Sequence, residues 1–217
     1  MSAEDHAVLD FDLTVPEGAG EGTTVAVLLH GRGSHKGDLQ ALVPVLPSDW
    51  VIVTPQAPYP GSDWGYGSGW AWYRYVQEDE VVAETLERSL EMVADFLAGL
   101  PQLLGFNPGK LVLGGFSQGG TMSVAYSLAH PGAVVAAWNF SGFVAASVVL
   151  PDDGESATPI FWGHGTSDPN IPFVLAQKGR ERLTEARIPM VVMDYDIGHW
   201  IVPDEIHDAV AMVESLP

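Results

Sequence analysis

Leu111-Val112-Leu113-Gly114-Gly115-Phe116-Ser117-Gln118-Gly119-Gly120 is the stretch on which the reading of this chain turns. Its first three residues form a short uncharged apolar run, as expected of a strand buried on both faces. From Gln118 to Ala129 the composition suits a helix. Ser117 therefore falls on the turn between a buried strand and a helix. Glycines stand two positions to either side, where a tight and strained turn leaves no room for side chains.

Working outward, the same alternation of strand and helix recurs along the chain. Leu9, Phe11, Leu13 and Val15 are spaced by two with polar residues between them, which predicts a half-exposed edge strand. Continuous apolar runs at 24–29, 51–53, 134–138, 160–162 and 190–193 predict further strands. Between them, Val82, Leu86, Leu90, Val93 and Leu97 follow the three-to-four spacing of an amphipathic helix. Helices are also predicted over 36–46, 118–129, 173–186 and 204–216. Repeated strand–helix–strand units imply a mostly parallel sheet with right-handed crossovers and helices on both faces, an α/β fold. A length of 217 residues without repeats or a dividing linker is expected to form one domain over 1–217.

Composition narrows the function. The chain has 28 Asp and Glu against 9 Lys and Arg, a formal net charge of −19. Such a surface repels phosphates and anionic headgroups, so neither nucleic acid nor a membrane is an expected partner. The acidity reflects missing base as much as added acid, since Lys36, Lys110 and Lys178 are the only lysines. Ordinary solubility is one reading; adaptation to concentrated salt, which screens self-repulsion, is the favoured one. Without cysteine there is neither a disulfide framework nor a cysteine nucleophile. The uncharged stretch 133–150 is interrupted by Asn139-Phe140-Ser141-Gly142, against a membrane span. The acidic start Met1–His6 resembles no secretory or transit peptide, which leads to the expectation of a cytoplasmic protein.

A serine on a strand-to-helix turn is the pattern of a nucleophile elbow. Serine needs a base to take its proton and an acid to orient that base. In α/β-hydrolases these follow in the order Ser, acid, His, on loops after late strands. Among the seven histidines, only His199, in Gly198-His199-Trp200, follows a late strand in the required place. Asp168 follows the strand 160–162 and is the favoured acid; Asp194 and Asp196 compete but share the strand and loop of the histidine. A developing oxyanion needs preorganised donors. The main-chain N–H of Gln118 is one, and that of Arg32, in His30-Gly31-Arg32-Gly33 after another buried strand, is the other. The loop over 58–75 is crowded with aromatics. Trp64, Trp70, Trp72 and Tyr73 either form a substrate pocket or anchor the loop to the core, and Phe143 and Trp138 are weaker pocket candidates. No metal-ligand spacing and no dinucleotide fingerprint is present, so neither metal nor cofactor is expected.

These residues resemble the phospholipase/carboxylesterase family of small α/β-hydrolases, which includes the acyl-protein thioesterases. The likeness runs through Leu29-His30-Gly31-Arg32-Gly33, Gly115-Phe116-Ser117-Gln118-Gly119-Gly120, His164-Gly165 with Asp168, and Gly198-His199. It implies cofactor-free hydrolysis of carboxylic esters or thioesters in an α/β-hydrolase fold with no large cap domain. Arg32, where family members often carry an apolar residue, and Ser34-His35-Lys36, in place of a shorter acidic turn, depart from the pattern. The prokaryotic carboxylesterase branch is the better fit. The expected protein is a serine carboxylesterase for short- to medium-chain acyl or aryl esters, monomeric or homodimeric, with small-molecule substrates. A dienelactone-type hydrolase or serine peptidase on the same fold is the alternative, and a non-catalytic ligand-binding module is the alternative of another class.

Overall fold

The computed structural model describes residues 9–217, and the acidic start Met1–His6 lies outside them. The strands in chain order are β1 (Phe11–Thr14), β2 (Val25–Leu29), β3 (Val51–Pro55), β4 (Tyr59–Pro60), β5 (Trp70–Ala71), β6 (Tyr75–Gln77), β7 (Glu80–Val81), β8 (Leu111–Phe116), β9 (Ala136–Phe140), β10 (Ile160–Gly165) and β11 (Met190–Tyr195). Helices α1 (Ala83–Leu104), α2 (Gln118–Ala129), α3 (Phe173–Glu185) and α4 (Pro203–Ser215) alternate with them.

Seven strands form one sheet in the order β1-β3-β2-β8-β9-β10-β11. Every neighbouring pair is parallel except β1 with β3, which is antiparallel. The apolar runs of β2, β3 and β9 are buried at every residue because helices cover both faces. Both edge strands are open to solvent. β1 is half-exposed as predicted but without the predicted alternation, since Leu13 and Val15 face out while Asp12 and Thr14 are half-buried, and β11 leaves Val191, Val192 and Met193 exposed. Two small antiparallel ribbons, β4 with β5 and β6 with β7, order the long aromatic loop.

Helix α1 turns Leu86, Ser89, Val93, Phe96, Leu97 and Leu100 inward and ends at Gly105, whose φ of 80° is the left-handed conformation that closes a helix. Helix α2 is buried from Gln118 to Leu128. Its close approach to the sheet depends on glycine at the start of the helix and in β8: a Cβ on Gly119 would stand 1.9 Å from the Leu29 carbonyl oxygen, and one on Gly115 of β8 would stand 2.3 Å from Gly119. The flanking glycines thus let α2 press against β2 and β8. The helix predicted over 36–46 is instead a 3-10 segment, Leu39–Val45, carrying Pro44. Proline removes one backbone donor and its ring blocks a regular α-turn. Trp138, a weaker pocket candidate from sequence, is fully buried and stacks on Trp50 at 6.1 Å, in the core behind the sheet.

Candidate active site

Parallel sheets place their loops for function at the carboxyl ends of the strands. Here the loops after β2, β8, β10 and β11 deliver Arg32, Ser117, Asp168 and His199 to that edge. Ser117 has φ 53° and ψ −113°, a conformation sparsely populated for a residue with a Cβ. It is held there from both sides: its N–H donates to the Phe140 carbonyl at 2.7 Å, and its own carbonyl accepts from the Thr121 N–H at 3.1 Å. Gln118 follows as the first residue of α2, so unpaired N–H groups and the positive end of the helix dipole stand beside the Ser117 hydroxyl.

Asp168 and His199 are brought together. His199 Nδ1 lies 2.6 Å from Asp168 Oδ2. The carboxylate accepts, so Nδ1 carries the proton and Nε2 keeps a lone pair. Asp168 is itself fixed, its Oδ1 accepting from the Asn170 and Ile171 N–H groups at 2.8 and 2.9 Å. These amides keep the carboxylate aimed at the imidazole. The His199 ring packs against Phe116 at 4.7 Å between centroids, which fixes its second face beside the turn. Both competitors are exposed, unlike the buried Asp168: Asp194 pairs with Arg180 at 2.7 Å, and Asp196 lies on the loop after β11.

Ser117 and His199 share a cavity of about 260 Å³ that Gly31, Arg32, Gln118, Tyr73, Tyr75 and Phe143 also line. Of the aromatic pocket candidates, Tyr73 and Phe143 are on its wall, with their rings edge to face at 6.5 Å. Trp64, Trp70 and Trp72 are not, which corrects the sequence reading. Trp72 is fully buried and its Nε1–H donates to the His30 carbonyl at 2.9 Å. Trp70 exchanges backbone bonds with Gly33 and Ser34, and Trp64 packs between Tyr59 and Tyr66. An indole with its N–H satisfied by a buried carbonyl is an anchor.

Three further residues support the site. The buried side chain of Gln118 bridges the aromatic loop, accepting from the Trp72 N–H and donating to the Tyr73 carbonyl, both at 2.7 Å. Its sequence position predicted only a main-chain role. His30 is buried, accepts from the Ala57 N–H at Nε2 and donates from Nδ1 to the Gly31 carbonyl. Burial, above all, pushes its pKa down to about 4, so it is neutral and pins the bend that presents Arg32. Tyr73 is held un-ionised, chiefly by burial. Ser34, noted in the sequence only as a departure from the family pattern, also lines the cavity, as do Asn170, Ile171 and Asp38, which belong to no motif. Among the described residues no group of three His, Asp or Glu is disposed to hold a metal ion, and no helix is long and apolar enough to cross a membrane.

A parallel sheet with one antiparallel edge, a strained serine between strand and helix, and a His–Asp pair delivered from later loops define an α/β-hydrolase. Comparison with known proteins narrows the class. The model of the phospholipase/carboxylesterase family matches residues 12–216, and the chain belongs to that family. Curated relatives include acyl-protein thioesterase 1 of Saccharomyces cerevisiae, 29% identical over 51% of this chain and 52% of the relative. Acyl-protein thioesterase 1 of Kluyveromyces lactis is 30% identical over 68% and 71%. In the alignments with the Saccharomyces cerevisiae and Gibberella zeae proteins, the chain spans about half the length of the relative. Among solved structures, esterase PE8 superposes with a TM-score of 0.78 at 24% identity, over 96% of this chain and 99% of the other. The Bacillus cereus carboxylesterase gives 0.81 at 18%, over 96% and 94%. At those identities the structures speak to the fold.

Proposed function

We propose that the protein is a serine carboxylesterase in which Ser117 is the nucleophile, His199 the base and Asp168 the group that orients it. The observation that carries this reading is the strained Ser117 sharing one cavity with an imidazole whose far nitrogen is bonded to a buried carboxylate at 2.6 Å. His199 Nε2 takes the Ser117 proton as Oγ attacks the acyl carbon, and Asp168 stabilises the imidazolium. The main-chain N–H groups of Arg32 and Gln118 face the oxyanion, each worth roughly 3–4 kcal/mol in the transition state. Imidazolium then protonates the leaving alcohol. Water, activated by His199, attacks the acyl-enzyme and releases the acid together with Ser117.

A cavity of about 260 Å³ favours short acyl groups or a single aryl ring. Thioesters of the same acids enter the same acyl-enzyme, in line with relatives named as acyl-protein thioesterases and as carboxylesterases. Turnover of nitrophenyl esters of graded chain length, wild type beside Ser117→Ala, tests the reading. The rate is expected to fall beyond medium chains and to vanish in the variant; full activity in Ser117→Ala overturns the mechanism.

A further inference from the structure

Among the described residues, Arg32 is the one cation that lines the cavity of Ser117 and His199. The other basic side chains of the described residues largely spend their donors elsewhere: Lys110 on the Val213 and Leu216 carbonyls, and Arg182 on those of Ala145 and Val148. Lys36 pairs with Asp10 and Asp12, Lys178 with Asp79, Arg180 with Asp194 and Arg88 with Glu91. Arg32 instead stands over two rings, 4.9 Å from the Tyr66 centroid and 5.4 Å from that of Tyr75. Aromatic faces stabilise a cation without neutralising it.

The arrangement is built to hold the side chain in place. The Tyr75 main-chain N–H donates to the Tyr66 hydroxyl at 2.9 Å, which ties the Tyr66 ring to the strand that carries Tyr75. The next residue, Gly33, donates its N–H to the Trp70 carbonyl at 2.8 Å and has φ +77°. A Cβ there would meet the Tyr66 carbonyl oxygen at 2.6 Å, so the turn and the aromatic loop close on each other. The charge is felt inside the cavity, where it favours ionisation of the buried Tyr73 hydroxyl against the stronger effect of burial. The one acidic residue on the lining, Asp38, accepts the Ser34 hydroxyl at 2.7 Å.

We propose that Arg32 makes this cavity a site for esters that carry a carboxylate a few bonds from the scissile carbonyl, half-esters of small dicarboxylic acids. The proposal rests on the esterase reading above, with the Arg32 main chain serving the oxyanion and its guanidinium serving the remote carboxylate. Guanidinium is the side chain best matched to a carboxylate, offering parallel N–H donors in a rigid plane. The strongly negative protein repels such substrates at long range, so a contact charge at the reaction centre is what would admit them.

The test compares nitrophenyl hydrogen succinate with nitrophenyl pentanoate, an anionic and a neutral acyl group of similar size, at one fixed ionic strength. The readout is the ratio of their kcat/KM values, in which any loss common to both substrates cancels. Arg32→Gln is expected to lower the ratio by about tenfold, the worth of one charge-assisted pair at a partly exposed site, mainly through KM. Arg32→Lys is expected to restore part of it. A ratio that Arg32→Gln leaves unchanged overturns the proposal. Binding of free succinate against butyrate to Ser117→Ala, followed by tryptophan fluorescence, needs no turnover. Tighter succinate binding supports the anion site even if the esterase reading fails; equal or weaker binding overturns the site even if esters are cleaved.

Discussion

Glu205 offers a sharp test of how this fold treats a buried charge. It is the third residue of α4 and fully buried, and no side chain of the described residues pairs with its carboxyl. The carboxyl lies against β10, where a Cβ on Gly163 would stand 2.1 Å from Oε1. Burial raises its pKa from 4.5 to about 8; the nearby Val202 main chain opposes this and the charge of Asp208 adds to it. The folded protein therefore keeps Glu205 protonated at pH 7, while the unfolded chain ionises it near 4.5. Below pH 4.5 the group is neutral in both states and costs nothing. As pH rises from 4.5 to 8 the unfolded state is favoured progressively, and above 8 the loss levels off. At about 1.4 kcal/mol per tenfold change in the ionisation equilibrium, the plateau is roughly 5 kcal/mol. Glu205→Gln removes the ionisation while keeping shape and a polar head. The assay is thermal melting of both proteins from pH 4.5 to 9. With about 2–4 °C per kcal/mol for a chain of this size, the variant is expected to melt roughly 10 °C or more above wild type at pH 9. Near pH 4.5 the two should differ little. The other acidic groups are common to both proteins and cancel in the difference. A difference that stays constant across the range refutes the reasoning.

Gln118→Ala strands the Trp72 N–H and the Tyr73 carbonyl in a buried place. A loss of about 2–4 kcal/mol is expected, read as a lower urea midpoint. His30 is held neutral by burial with a pKa of about 4, so its protonation favours the unfolded state. Its contribution is full above pH 6.5 and lost as pH falls towards 4, about 3 kcal/mol in all; its Cε1–H proton resonance should not move between pH 7 and 5.5, and titration near 6.5 would contradict the assignment. With a formal charge of −19, melting temperature should rise with potassium chloride from dilute buffer to the molar range, and equal values would defeat salt adaptation.

Much of the fold was legible because the buried strands open on or contain short apolar runs and α1 follows the helical period, while α2, buried from Gln118 to Leu128, was legible from its place after the strand rather than from a period. The segment 36–46 has apolar residues in helical register, yet it forms a 3-10 turn over Leu39–Val45 that carries Pro44. The strand–turn–helix around Ser117, and the chain order that picks Asp168 and His199, could be read because they are local or sequential. The pocket wall could not. Trp64, Trp70 and Trp72 share a loop with Tyr73, and nothing in their spacing separates an indole bonded to the His30 carbonyl from a ring facing the cavity. The side chain of Gln118 was missed for the same reason: its partners lie 46 and 45 residues away in sequence. Glu205 sits in the first turn of an amphipathic helix, where an acidic residue ordinarily faces solvent and favours the dipole. Only the packing against Gly163 shows that it does not.

The central claim is that one hydroxyl, at the turn into α2, is the nucleophile. Incubation with a fluorophosphonate, followed by peptide mass spectrometry, tests it directly. The account expects a single adduct per chain, on Ser117, formed in step with loss of esterase activity and absent from Ser117→Ala. An adduct on another residue, or activity that survives complete modification of Ser117, would contradict it.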